Sequence, residues 1–180
     1  MSHSSNSTKH TEDILNATNR IESSDPIVVV QGLNILTKKS FEALEGHNIQ
    51  FEHYPQLAIS LGSLLDVVNP LKDVVFESFH DSHWETDVEY VWERWSCSGN
   101  IRLKSLAYNI DDNSLLLTTL NIVRNLSFDA VNEQVMAASA AFLQHLVSIV
   151  IVSLESGSIY QATHMALETL ANIGPRIDLT

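Results

Sequence analysis

Two histidines separated by an aspartate and a serine, in the run His80-Asp81-Ser82-His83, are the residues whose spacing best suits metal binding. Three-residue spacing places both imidazole rings on one face of a helix, where one zinc ion could bind them. The run has no HExxH pattern, no cysteine partner and no dedicated set of carboxylates. We therefore expect neither a metal site nor a bound cofactor.

Signatures of catalysis are absent from the rest of the sequence. The six glycines are scattered and form no phosphate-binding loop, and no G-x-S-x-G nucleophile elbow occurs. Nothing around the single cysteine, Cys97, indicates an activated thiol. We expect no enzymatic activity and no small-molecule substrate; the alternative is a small hydrolase that uses His80, Asp81 and His83.

The charge balance argues against direct binding to phosphates. The 180 residues include 10 lysines and arginines against 22 aspartates and glutamates, a formal net charge of −12. Affinity for nucleic acids depends on cations that neutralise phosphates, and anionic membrane surfaces attract the same residues. We therefore predict that the chain binds neither nucleic acid nor a membrane directly.

No targeting or membrane-spanning segment is evident. Residues 1–10 are polar and lack the apolar core of a secretory signal. The most apolar stretch, Leu143–Leu154, is interrupted by Gln144 and His145, and it is shorter than the roughly 20 residues that span a bilayer. These features favour an intracellular soluble protein.

The chain divides near residue 25. Residues 1–25 are mainly Ser, Thr, Asn and charged residues, a composition that does not repay the entropy of ordering, so we predict a disordered tail there. Asp25 followed by Pro26 then places a capping carboxylate before a proline suited to the first helical turn. We assign the folded domain to residues 26–180.

The apolar pattern of that domain is helical. Leu57, Leu61 and Val68 belong to a stripe at spacings of three and four, which Asn69-Pro70 terminates. Asp111–Ser114 offers several caps for a later helix, and Gly157 and Gly174 stand where C-terminal glycines are expected. Further helices are predicted over Asn132–Ala138, Ala141–Leu154 and Ile159–Ile173. The predicted fold class is all-α.

A short text recurs three times. Leu33–Phe41 matches Leu120–Phe128 at an offset of 87 residues, and a third copy, Leu167–Gly174, follows 47 residues later. Armadillo and HEAT units have periods of about 40–47 residues, so the first offset reads as two units and the second as one. Because each unit buries its apolar face by stacking on its neighbours, we predict a short armadillo/HEAT-like α-solenoid, a superhelix of three to four stacked helical repeats. Chance likeness between leucine-rich helices is the alternative.

Three stretches carry a resemblance to a known family: Leu33–Phe41, Tyr54–Pro70 and Leu120–Asp129. The last resembles an armadillo-type third helix. Together they resemble the armadillo-like region of the AT-rich-interaction-domain (ARID) subunits of SWI/SNF-class chromatin remodellers, most of all the polybromo-type subunit and its fungal RSC counterpart. The resemblance covers most of residues 27–175.

That resemblance implies a nuclear, non-catalytic scaffold subunit of an ATP-dependent chromatin-remodelling complex, whose partners are the other protein subunits and whose role lies in transcription regulation. The sequence shows no AT-rich interaction domain and no zinc finger, so DNA binding is not implied for this chain. A free-standing armadillo adaptor that binds linear peptide segments is the alternative.

The repeated text also suggests a partner-binding groove. Armadillo grooves use an asparagine whose amide bonds both the N–H and the C=O of a peptide, and Asn125 and Asn172 hold that position in the second and third copies, while Lys38 replaces it in the first. Four residues earlier, where import-receptor-type proteins usually place tryptophan, stand Asn121 and Glu168. Capping or inter-repeat hydrogen bonds are the alternative role for the two asparagines.

A second candidate surface combines acids with aromatics. Glu85, Glu89 and Glu93 are spaced by four and form one edge of a predicted helix, beside Trp84 and Trp92. Such a face could receive a basic partner segment through ion pairs and cation–π contacts. A solvated outer face on a helix that packs its other side on the core is the alternative.

Overall fold

In the computed structural model, the structure describes residues 3–44, 48–70, 113–157 and 159–177. These residues form seven α-helices and one 3₁₀ turn, Gly174–Arg176, and contain no strand. The all-α prediction is confirmed for this part of the chain. The helices are α1 (His3–Ile21), α2 (Pro26–Leu44), α3 (Pro55–Val68), α4 (Ser114–Leu126), α5 (Ala130–Ala137), α6 (Ala140–Ser156) and α7 (Gln161–Ile173).

Local sequence signals explain most of the helix ends. The Asp25 carboxylate accepts a hydrogen bond from the Ile27 N–H at 2.9 Å at the start of α2, and the Asn113 side chain accepts one from the Leu116 N–H at 3.1 Å at the start of α4. Gly157 ends α6 with a φ of 66°, a left-handed conformation that glycine adopts without steric cost. Gly174 does not adopt the left-handed conformation. Its φ is −49°, and the chain continues from α7 directly into the 3₁₀ turn.

The helices pack in two rows. In one row α4 lies against both α2 and α7, and in the other α3 lies against both α1 and α6. Each helix of the first row also packs on one of the second, in the pairs α1 with α2, α3 with α4 and α6 with α7, while α5 packs on α6 and α7. Their buried apolar side chains form one hydrophobic core, which includes Leu36, Leu61, Leu120, Phe142 and Leu146.

The contacts between rows change the interpretation of the repeat. The three copies of the repeated text lie on α2, α4 and α7, and α4 contacts both of the other two helices directly. The 87-residue offset therefore does not represent two successive stacked units, and that interpretation is wrong. The first two copies are spatial neighbours, and their sequence separation is enlarged by the segment 71–112, which lies outside the described residues.

The N-terminal segment also differs from expectation. Residues 3–21 form α1, so the prediction of a disordered tail is wrong for them. Ile14, Ala17 and Ile21 lie on one side of this helix at spacings of three and four, and all three are buried. The average composition of residues 1–25 does not reveal this short stripe. Its apolar side chains stabilise a helix only when α1 packs against α2 and α3.

A buried asparagine holds the connection between α2 and α3. The Asn132 amide nitrogen donates to the Ile49 carbonyl at 2.7 Å and to the Leu126 carbonyl at 3.0 Å, and its oxygen accepts from the Phe51 N–H at 2.7 Å. Nearby, the Phe51 ring stacks on the Phe142 ring with centroids 6.3 Å apart. One side chain thus satisfies two backbone groups of the irregular segment before α3, which would otherwise be buried unpaired, and gives the Leu126 carbonyl a second partner.

No single helix among the described residues is both long and apolar enough to span a membrane. The helices α5 and α6 meet such a criterion only when they are taken together, and they are bent by 85° relative to each other.

Replacing Asn132 by Ala should destabilise the protein by about 2 kcal/mol or more, because the buried Ile49 carbonyl and Phe51 N–H lose their partner at once. The free energy of unfolding is measured by urea titration followed by circular dichroism. Asn34→Ala is the matched control, since Asn34 is exposed on α2 and alanine there should be neutral or slightly stabilising. Equal effects of the two substitutions would contradict the role given to Asn132.

Candidate interaction surface on helices α2, α4 and α7

The predicted groove residues lie on the row formed by α2, α4 and α7, but in very different environments. Lys38 is 77% exposed on α2 and lies 3.9 Å from Glu42 on the same helix. Glu168 is exposed on α7, and Asn121 is half-buried on α4. Asn125, by contrast, is only 2% exposed. The row is therefore not lined by equivalent, accessible asparagines.

Asn125 is used inside the molecule. Its amide nitrogen donates to the Ser40 hydroxyl at 3.0 Å, which joins α4 to α2. Its amide oxygen accepts a hydrogen bond from an Arg124 guanidinium nitrogen at 3.2 Å. Because the amide is buried and bonded at both ends, it is not accessible to an extended peptide in this arrangement.

Asn172 repeats that contact one helix further along the row. Its amide nitrogen donates to the Ser127 hydroxyl at 2.9 Å, which joins α7 to the end of α4. Ser40 and Ser127 hold the same position in their copies of the repeated text, and so do Asn125 and Asn172. We call these two equivalent hydrogen bonds the serine–asparagine rungs. They place both asparagines in the inter-repeat role that was the alternative to groove binding.

Both serine–asparagine rungs depend on a serine, Ser40 or Ser127, for which the sequence predicted no function. The Ser40 and Ser127 hydroxyls also donate to backbone carbonyls, those of Thr37 at 2.8 Å and of Arg124 at 2.7 Å. Each hydroxyl is thus held in place and still accepts from an asparagine of the next copy. The signal for this role was present, since a serine occupies the same place in the first two copies; the third copy has Gly174 there.

An ion pair spans the outer side of the same row. The Arg124 Nε atom lies 3.3 Å from a Glu168 carboxylate oxygen, so α4 and α7 are joined by charge as well as by the second rung. Glu168 is a predicted site residue, whereas Arg124 was not singled out. Since Glu168 is more than half exposed, the pair contributes little to stability, and its carboxylate remains accessible to a partner.

The other candidate residues lie outside the described part of the chain. These are the acidic and aromatic residues Trp84, Glu85, Glu89, Trp92 and Glu93, together with His80, Asp81, His83 and Cys97. Among the residues that the structure does describe, no group of three or more His, Cys, Asp or Glu side chains is placed to hold a metal ion.

His145 is buried at the contact between α3 and α6. Its Nδ1 atom lies 3.3 Å from the Asn69 amide nitrogen, and its Nε2 atom lies 4.0 Å from a carboxylate oxygen of Asp66. Asn69 also donates to the Ser148 hydroxyl at 3.1 Å. The Ser148 hydroxyl donates to the His145 carbonyl at 2.9 Å rather than to the imidazole, so the group has the bonding of a buried polar contact and not of a nucleophile with its base.

Comparison of the chain with protein-family models, with curated proteins and with solved structures returned no match.

Coupling between Ser40 and Asn125 should be measurable by a double-mutant cycle. Each alanine substitution removes one partner of a buried hydrogen bond, and we expect the two losses to be non-additive by about 1 kcal/mol. The free energy of unfolding of the two single variants and the double variant supplies the coupling. Ser40→Ala combined with Asn172→Ala is the control pair, since these residues belong to different rungs and their effects should add.

Proposed function

We propose that this chain is a non-catalytic protein-interaction scaffold, a short armadillo-like solenoid that docks on other protein subunits. The observation that carries the proposal is the pair of serine–asparagine rungs, Ser40 with Asn125 and Ser127 with Asn172. A hydrogen bond that recurs between the same positions of a repeated text is expected where repeats stack on their neighbours, and it is not expected from chance likeness of leucine-rich helices.

The order of helix contacts supports the same proposal. Within the row that carries the repeated text, α4 lies between α2 and α7, and within the other row α3 lies between α1 and α6. Nearest-neighbour packing of this kind is what distinguishes stacked helical repeats from a bundle around one axis. Stacked repeats produce long side surfaces, which such proteins use to bind other proteins.

Docking on a protein partner is further supported by apolar side chains on the outside of α3 and α6. Val67 on α3 is 79% exposed and Leu154 on α6 is 74% exposed, and Ile59 on α3 is also exposed. The two helices contact each other and contain no lysine or arginine. Apolar surface of this kind favours contact with another apolar surface. We call this side of the molecule the α3–α6 face.

Three stretches resemble the armadillo-like region of ARID subunits: Leu33–Phe41, Tyr54–Pro70 and Leu120–Asp129. This resemblance extends the proposal to the identity of the partners. On that basis the chain belongs in the nucleus, as a scaffold subunit of a SWI/SNF-class or RSC-type remodelling complex. Its net charge of −12 fits a subunit that contacts proteins and leaves the DNA phosphates to others.

Affinity purification of the endogenous protein, followed by quantitative mass spectrometry, tests this function. We expect a SWI/SNF-type ATPase to be recovered at near-stoichiometric yield. Its absence would reject the remodeller as the partner.

Substitution on the α3–α6 face tests the surface itself. Val67→Ser combined with Leu154→Ser should reduce recovery of the partner by about tenfold, since loss of well-packed interface side chains costs about 1–2 kcal/mol. Ile27→Ser is the matched control, because Ile27 is equally apolar and exposed but lies at the start of α2. Full recovery with the double variant would exclude this face as the docking surface while leaving the scaffold role intact.

A further inference from the structure

The N-terminal helix α1 is attached to the molecule differently from the others. Among the described helices it packs extensively only on α2 and α3, at the end of its row. Its buried apolar side chains are Ile14, Ala17 and Ile21. Polar and charged contacts to α2 and α3 supplement this apolar stripe.

The closest approach of α1 to α2 occurs at Gly32. A Cβ atom at this position would lie 2.9 Å from the Ala17 carbonyl oxygen, from the Arg20 Cβ and from the Ile21 Cγ2. One of these is a backbone atom, so α1 could not accommodate the extra carbon by a side-chain movement alone. The docked position of α1 therefore requires glycine at residue 32.

A partly buried ion cluster joins α1 to α2 two turns further along. The Lys39 Nζ atom lies 3.2 Å from a carboxylate oxygen of Asp13 on α1 and 3.1 Å from one of Glu42 on α2, and its side chain is only 13% exposed. Burial lowers the pKa of Lys39, but hydrogen bonds to Glu42 and Asp13 outweigh it and raise that pKa overall. The hydrogen bond from Lys39 lowers the pKa of Glu42. Lys39 and Glu42 therefore stay charged together at neutral pH.

Polar contacts also join α1, and Glu22 just after it, to α3 and to Tyr54 just before α3. The Tyr54 hydroxyl donates to the Thr11 hydroxyl at 3.3 Å. At the other end of α1, the Glu22 carboxylate accepts hydrogen bonds from the Ser60 hydroxyl at 2.6 Å and from the Gln56 amide at 2.5 Å. Of these bonds the one from Gln56 is exposed and the other two are partly buried, and each contributes only about 1 kcal/mol.

From these contacts we infer that α1 is a detachable helix, which undocks from α2 and α3 as one unit while the other helices stay packed, and that the pairing of Asp13 with Lys39 controls how often it does so. Undocking removes no contact between the remaining helices, since α1 lies at the end of its row. Elements with few buried apolar residues open locally at a small fraction of the global unfolding free energy.

Undocking would uncover a defined stripe of α2. Gly32, Leu36 and Lys39 follow one another at spacings of four and three, so they share one side of that helix. The shape and charge that α1 presents to this stripe define what else could occupy it: an amphipathic helix with a small residue opposite Gly32 and a carboxylate opposite Lys39. Undocking of α1 would thus switch this side of α2 between a covered and an open state.

Amide hydrogen exchange on the full chain, read by mass spectrometry, tests the inference. In the wild-type protein, amides of residues 14–21 should exchange faster than those of α4 and α6. The substitution Asp13→Asn leaves Lys39 short of one partner, and it should accelerate exchange in α1 by about tenfold while α4 and α6 remain unchanged. Gly32→Ala should have the same effect by a different route, because it forces α1 away from α2.

Glu12→Gln is the matched control, since Glu12 is the neighbouring carboxylate on α1 and is exposed. It removes the same charge and should leave exchange in α1 as it is in the wild type. Equal protection of α1 and α4 in the wild-type protein would overturn the inference. So would acceleration by Asp13→Asn that spreads evenly over all the helices, or an equal effect of Glu12→Gln.

Discussion

The direct contact between α2 and α4 is the interaction on which the rest of the molecule depends. These helices are far apart in the chain, yet α4 packs on α2, on α3 and on α7, so it supplies apolar surface to helices of both rows. Leu116, Leu120 and Val123 are fully buried along its length. A helix with this many neighbours cannot shift without disturbing both rows, which makes its register the main structural constraint.

Buried asparagines set that register. Apolar side chains tolerate small displacements, because dispersion and the hydrophobic effect are not directional, whereas a buried amide must meet its partners at about 3 Å or leave them unpaired. The buried Asn125 fixes α4 against α2, and the buried Asn132 fixes the connection that leads into α3. Asn172, which is half-buried, makes the corresponding bond from α7 to α4. The same residue type that lines the peptide groove in armadillo proteins is here directed toward neighbouring helices and the chain's own backbone.

The contrast between α1 and α6 shows how unevenly the helices are held. The α6 helix carries many buried side chains, including Phe142, Leu146 and Ile149, and the contacts of His145 and Ser148 with Asn69 supplement this apolar area. The α1 helix has a short buried stripe and relies on one glycine contact and one ion cluster. Such a difference predicts that α1 opens locally more often than α6.

Helix type and many helix ends followed from local chemistry in the sequence. Asp25, Asn113 and Gly157 act within a few residues of their own position, and spacings of three and four identify apolar stripes without knowledge of what they face. The helical periodicity of Leu57–Val68 and the existence of three similar copies were visible for the same reason. None of these inferences requires contacts between distant parts of the chain.

Which copies are neighbours, and what their asparagines bond, was decided only by tertiary structure. An offset of 87 residues does not reveal that α2 and α4 touch, because chain length between two helices does not measure their distance in space. The sequence around Asn125 does not reveal whether its amide faces a groove or bonds to Ser40. Likewise Ile14, Ala17 and Ile21 are too few to predict a packed helix from composition, and they are buried because α2 offers Gly32 for close approach and Lys39 for charge pairing.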